Sequence, residues 1–485
     1  MPIKTNLSII NFPLLLFIFC FSSSLAIFLK IDGNSIYQWL FLLPLLHGVI
    51  ILFNYNSFQK HKLSWTKCIV LFSYTIRNVV TPLFFALGGF NYVGIHTIKI
   101  TSESDLIRAT LLMSYETLII FCGMSYYYNK IETKERMRLE IKNNKQVEKR
   151  IIPGGLTLYS LFCVIIVGIL ILSVAMVPSI RKTYKNMWST DAISLISSAE
   201  RSGEEFVGGT LNRLLYSFFI MFFALMQILV IVQIIYWIKN RIKSKSIGII
   251  VSILVSGAII TLFVSESTIM SIYLCIIVYI YTRDIYSEYK QKIDFFAGIG
   301  ALTVILMLII AKVTFWNVGN ENFFTTSSSL FNAYFPGVFS ISKTWYIETP
   351  GRIATLFTDI IDSFPLRSII PNISNGQRLV TYFNIAANTD FQIIPFVTQV
   401  YYYFSFLGPF IQLFFVFCAL KAESRMDSTD NYLLYVAYVT VIVLFGFGIV
   451  SRNITNILKL FWKIILPCFL LAKCSNINLL SLKRK

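Results

Sequence analysis

Charge is scarce in this chain. Of its 485 residues only 14% are Asp, Glu, Lys or Arg, against roughly 25% in an average soluble domain, while 56% are hydrophobic. That balance excludes an ordinary soluble globule. His47, His61 and His96 lie in separate segments, and the eight cysteines sit in or beside apolar stretches with no CxxC spacing. Neither a metal site nor a disulfide framework is expected. There is no GxxxxGK[ST] run and no glycine-rich strand-to-helix turn, which removes a nucleotide site and leaves the substrate itself or a gradient as the energy source. No cofactor is therefore expected. Nor does a repeat of solenoid period, or a duplication of one half in the other, stand out.

What is abundant is apolar sequence in runs of spanning length. Such runs fall at 9–29, 36–53, 68–89, 105–127, 154–177, 211–238, 247–264, 268–282, 293–317, 395–419, 432–451 and 457–472. The first lacks a small-x-small cleavage site and reads as a retained span. The pair 247–264 and 268–282 is short and is joined at Ser265-Glu266-Ser267, so this hairpin need not traverse the bilayer fully. The expectation is an all-α polytopic membrane protein of about twelve transmembrane helices, with a large helical outer loop between the ninth and tenth spans. With both termini inside, the inner segments hold about 25 basic residues and the outer ones about 11, so both termini are expected in the cytoplasm. The charged run Asn129 to Arg150 then becomes an inner loop whose charges reflect solvation. The net charge of +18 follows from this distribution and does not call for nucleic acid.

The chain divides into 1–317, nine spans with an outer loop at 178–209; 318–394, a large extracytoplasmic loop; and 395–485, three spans and a cytoplasmic tail. The stretch 318–394 contains Pro336, Pro350, Pro365 and Pro371, lacks an apolar run of spanning length, and is rich in aromatics such as Phe335, Trp345, Tyr346 and Phe364. A disordered linker would not carry them. Within it, Thr349 reads as an N-cap, Pro350 as the first helical residue and Pro365 as the stop. Ile353, Leu356, Phe357, Ile360, Ile361 and Phe364 recur at helical spacing and predict one apolar face, lying on protein or on the membrane surface. Arg352, Thr355, Asp359 and Asp362 share the opposite stripe, either a solvated face or a site.

Ionisable residues inside spans cost roughly 2.5 to 3.5 kcal/mol each near a helix centre, so each needs a partner or a cavity. Arg77 and Glu116 lie deepest, on successive spans at depths that differ by roughly 3 Å at 1.5 Å per residue. They are expected to pair, either locking two helices or lining a cavity. Arg108, Arg213, Lys312 and Arg452 fall near outer ends, where such side chains either snorkel or converge on an anion. In the first outer loop Arg181, Lys182 and Lys185 precede a short capped amphipathic helix, with Ser189-Thr190 before Ala192, Ile193, Leu195, Ile196 and Ala199 and Gly203 after them, read as a solvated loop or as a guide for an anionic glycolipid or glycan.

The segment FQIIPFVTQVYYYFSFLGP, Phe391 to Pro409, resembles the return to the membrane after the large outer loop of Wzy-type polysaccharide repeat-unit polymerases, and GRIATLFTDIIDSFP, Gly351 to Pro365, is similar to that family too. The resemblance covers roughly 330–420. The Arg-x10-Gly pattern of some members is missing from both large outer loops; Arg77 and Gly88 have the spacing but fall in a span, so the role of those arginines is not carried over. What the resemblance implies is a glycosyltransferase for capsule, O-antigen or exopolysaccharide, joining undecaprenyl-pyrophosphate-linked oligosaccharides on the outer face of the cytoplasmic (inner) membrane. Its partners would be the lipid-linked unit, the growing polysaccharide chain, membrane lipids, and a chain-length regulator and flippase. On that reading Asp359 or Asp362 is the catalytic base, and Arg108, Arg213, Arg352, Arg367 and Arg378 bind pyrophosphate or glycan. An O-antigen ligase shares the chemistry with a different acceptor. A lipid-linked oligosaccharide flippase is the rival from another class, kept open by Arg77 and Glu116.

Overall fold

The computed structural model describes residues 12–31, 36–60, 64–91, 98, 100, 102–132, 158–178, 210–262, 268–315, 323–364, 378–389, 393–426, 428, 429 and 431–475. These residues build helices and no strand. In chain order they are α1 (Phe12–Lys30), α2 (Leu42–Phe53), α3 (Trp65–Leu87), α4 (Glu103–Asn129), α5 (Leu158–Met176), α6 (Thr210–Arg241), α7 (Lys245–Leu262), α8 (Thr268–Ile285) and α9 (Lys290–Phe315). Then come α10 (Phe323–Tyr334), the single turn α11 (Val338–Ile341), α12 (Arg352–Asp362), α13 (Leu379–Ala387), α14 (Phe396–Phe404), α15 (Gly408–Met426), α16 (Tyr432–Ser451) and α17 (454–475). Among the described residues, five stretches are long and apolar enough to cross a membrane: Phe12–Lys30, Trp65–Leu87, Glu103–Asn129, Phe396–Met426 and Tyr432–Ser451. The protein is therefore read as an all-α membrane protein.

Side-chain caps fix where several helices begin. Ser64 accepts from Lys67 N, Ser102 from Asp105 N, and Asn453 from Asn456 N, each satisfying an amide that the first turn leaves open. Helix α16, apolar all round, is buried along nearly its whole length and forms the axis of the bundle. Around it, Phe335 and Tyr273 meet Phe447 edge to face, and Phe415 meets Phe445.

Contacts between the helix ends sort into two groups. At one end Gln38 and Trp39 hydrogen-bond Glu103, Tyr346 donates to Asp105 at 2.7 Å, and Lys459 lies 3.5 Å from Asp362. At the other, the amides of Trp65 and Thr66 donate to Glu423 at 2.5 and 3.0 Å, Lys245 pairs with Glu288, and Lys239 Nζ donates to Ile285 O at 2.8 Å.

The stretch after α9 does not sit simply on top of the bundle. Helix α10 runs antiparallel to the C-terminal half of α3. A Cβ on Gly88 would lie 2.7 Å from Thr325 Oγ1, and one on Gly337 would lie 3.6 Å from Arg77 Cγ. The chain thus descends from the end of α3 to the level of Arg77, turns at the buried Phe335-Pro336-Gly337, and climbs back to Asp105 through Tyr346. Non-helical backbone at that depth is tolerated because protein surrounds it. The hydroxyls of Ser327, Ser328 and Ser329 are buried and bond carbonyls of the preceding turn.

A second excursion interrupts the run expected at 395–419, which lies within the candidate span Phe396–Met426. The helix breaks at Ser405, where φ is 50°, and α15 folds back on α14. A Cβ on Gly408 would lie 2.8 Å from the Val400 carbonyl carbon, whereas eight residues of unbroken helix rise about 12 Å.

Gly88→Ala tests the first excursion. The added methyl would also meet the Thr325 amide nitrogen at 2.9 Å, and backbone cannot rotate away. A loss of about 1 to 3 kcal/mol is expected, read as a lower Tm of the detergent-solubilised protein. An unchanged Tm would mean that α10 does not lie against α3.

Candidate functional site

Helix α12 starts at Arg352, and Gly351, not Thr349, stands at its N-cap; Thr349 instead hydrogen-bonds the Tyr402 hydroxyl. Its polar stripe faces inward. Thr355, Thr358, Asp359, Asp362 and Ser363 are buried, whereas Ile353, Ala354, Phe357, Ile360, Ile361 and Phe364 are exposed. A solvated polar face is thereby ruled out. The two threonine hydroxyls bond carbonyls of their own helix, at 2.7 and 2.9 Å, so the stripe's remaining polar demand lies with the two carboxylates.

Asp359, 2% exposed, accepts from Leu379 N at 3.3 Å through Oδ1, and from Gln399 Nε2 at 2.5 Å and Tyr403 Oη at 2.8 Å through Oδ2. Gln399 is held in turn, its Oε1 accepting from Ile454 N at 2.7 Å. Burial raises the Asp359 carboxyl above the usual carboxylate range; the bonds from Tyr403, Gln399 and Leu379 and the charge of Arg378 oppose that without cancelling it. One turn on, Asp362 lies 2.9 Å from Arg378 Nη2 and 3.5 Å from Lys459 Nζ. Both cations are about one-third exposed while Asp362 is 2% exposed, so the carboxylate is the fixed inner element and the cations face outward. Arg378 is shifted below the usual arginine value by burial, against which the Asp359 charge acts. Two carboxylates and two cations thus sit together, with the cations on the outward side, where an anion can reach them.

A second polar cluster is sealed inside the bundle. Arg77 meets Glu116 with both terminal guanidinium nitrogens, at 2.5 and 3.3 Å. Tyr74 Oη at 2.9 Å and Gln412 Nε2 at 2.7 Å also donate to Glu116, and the guanidinium lies 4.7 Å from the Tyr74 ring centre. Asn78 accepts from Arg77 Nε at 3.3 Å and donates to Thr117 at 3.0 Å, and its amide lies 3.3 Å from the His47 ring. A turn of π-helix at Ile76–Val80 rotates Arg77 and Asn78 into this cluster.

The expected binding residues do not all converge. Arg352 is exposed and stacks 5.4 Å over the Tyr402 ring, beside the carboxylates' helix but not on them. Arg108 is exposed on α4 and, among the described residues, bonds to none of the cluster. Arg452 is buried against the Tyr273 ring at 5.3 Å. Arg213 and Lys312 belong to α6 and α9, but their side chains, like Arg367 and the loop with Arg181, Lys182 and Lys185, lie outside the described residues. Lys459, Gln399 and Tyr403 were not anticipated. Lys459 alone carried a signal, as a cation within an apolar run that needs a partner.

Helices of this length and apolarity, arranged around a buried axis, define the class as helical membrane protein. No family model, no curated protein and no solved structure matches the chain.

Proposed function

We propose that the chain is a membrane glycosyltransferase that polymerises undecaprenyl-pyrophosphate-linked oligosaccharide units into a surface polysaccharide on the outer face of a cell membrane crossed about twelve times, with both termini cytoplasmic. One observation carries this reading: two buried carboxylates on consecutive turns of a helix outside the candidate spans, one with raised proton affinity and the other holding two partly exposed cations. Proton transfer and anion binding, the two demands of the reaction, fall on adjacent groups.

In the reaction, an acceptor sugar hydroxyl attacks the anomeric carbon of the lipid-linked donor. A carbon–oxygen bond forms, the bond from the anomeric carbon to the pyrophosphate oxygen breaks, and the hydroxyl proton passes to Asp359. The acceptor hydroxyl takes the place of the half-buried Tyr403 hydroxyl at Oδ2. Arg378 and Lys459, steadied by Asp362, stabilise the charge on the departing lipid pyrophosphate. A ligase would use the same groups with another acceptor. The flippase reading draws on a different observation, the broken backbone at Phe335-Pro336-Gly337 beside the Arg77–Glu116 pair, since irregular backbone next to buried charge is a feature of transporters.

A deletion strain separates these readings by the state of its lipid-linked glycans. Single repeat units accumulating on the outer face are expected. Units trapped on the inner face would replace the polymerase by the flippase.

A further inference from the structure

The amphipathic helix α12 is built with its polarity reversed. Its polar stripe is consumed by the protein, and every exposed residue except Arg352 at its start is apolar, with Ile353 at 72% and Phe357 at 59% exposure. Six apolar residues on one face would be a liability in water and require a covering phase. The face is continuous with surface that the spans present. Phe364 at its end packs edge to face on Trp462 of α17, with ring centres 5.3 Å apart. At its start Arg352 lies on Tyr402 of α14, beyond which Phe406, Leu407, Phe410 and Phe414 are exposed from the turn down α15. Those last residues lie within Phe396–Met426, long and apolar enough to cross a membrane, where exposed apolar side chains suit lipid.

We infer that α12 is an interfacial helix lying in the plane of one membrane leaflet, with Ile353, Phe357, Ile360, Ile361 and Phe364 in the acyl-chain zone and Asp359 and Asp362 turned into the protein. Such helices sink their apolar face roughly 5 to 10 Å below the headgroups, and a tryptophan such as Trp462 is at home at that level. This places the carboxylate and cation cluster at headgroup depth. The inference does not depend on the glycosyltransferase reading and would hold equally for a transporter.

The test uses the full chain in vesicles of phosphatidylethanolamine and phosphatidylglycerol, with the fluorescent residue dansylalanine incorporated at Phe357, at Ile360 or, as a control, at the exposed Glu348. All three positions are on the surface, so the fold is not challenged. Quenching by a lipid carrying a nitroxide near the top of its acyl chain is compared with quenching by aqueous iodide. At 357 and 360 the nitroxide is expected to quench several-fold more strongly than iodide, with the order reversed at 348. Iodide quenching at 357 and 360 equal to that at 348 would overturn the inference. So would the absence of quenching by either agent, which would mean that protein, such as a second copy of this chain, covers the face.

Discussion

Asp359→Asn is expected to lower polymer formation roughly 100- to 10,000-fold, the range a positioned general base contributes, while the protein still reaches the membrane. The wild-type rate should fall as pH is lowered, because the base works only when deprotonated. Since burial raises Asp359 above the usual carboxylate range, that acidic limb should lie above it too. Asparagine also puts an NH2 where Asp359 accepts from Leu379 or from Gln399 and Tyr403, which costs about 1 to 3 kcal/mol for a buried donor left unpaired. Insertion and polymer length are therefore scored separately, and Tyr403→Phe serves as the second variant. Losing that donor should move the acidic limb further upward with the fold intact. Asp362→Asn should reduce chain growth by loosening Arg378 and Lys459. Normal polymer from Asp359→Asn and Asp362→Asn would remove α12 from the reaction.

Arg77→Leu or Glu116→Leu should each cost roughly 3 to 5 kcal/mol, because either leaves an uncompensated charge in the bundle interior. Among the described residues, Arg77→Leu leaves Glu116 with the neutral donors Tyr74 and Gln412, and Glu116→Leu leaves Arg77 with the neutral acceptor Asn78 and the Tyr74 ring. The double variant should cost clearly less than the sum of the singles. Folded fraction and Tm in detergent decide the point. Strictly additive losses would contradict a pair held at 2.5 Å.

The apolar spacing from Ile353 to Phe364 and the matched depths of Arg77 and Glu116 were legible because each depends on helical geometry, which local sequence carries. The direction in which α12 faces was not. Periodicity separates two faces but does not say which solvent each meets, and near a bilayer the apolar face is the one that can be left bare. Gln399, Tyr403 and Gln412 escaped notice because they are neutral, sit among apolar neighbours and act on residues 40 to nearly 300 positions away. The descent of α10 was hidden for another reason. A segment such as FFTTSSSLFNAY looks too polar for the interior, yet several of its hydroxyls spend their hydrogen bonds on the helix's own carbonyls. The break at Ser405 carries neither proline nor glycine at the turning residue, so the run 395–419 read as one span.

The most direct measurement uses purified protein reconstituted in vesicles and supplied with an undecaprenyl-pyrophosphate-linked oligosaccharide, following glycan length and the lipid released. The proposed reaction requires a ladder of products that grows by whole repeat units, with one lipid pyrophosphate freed per unit joined. Donor that crosses the bilayer intact, with no growth of glycan and no lipid pyrophosphate released, would contradict it.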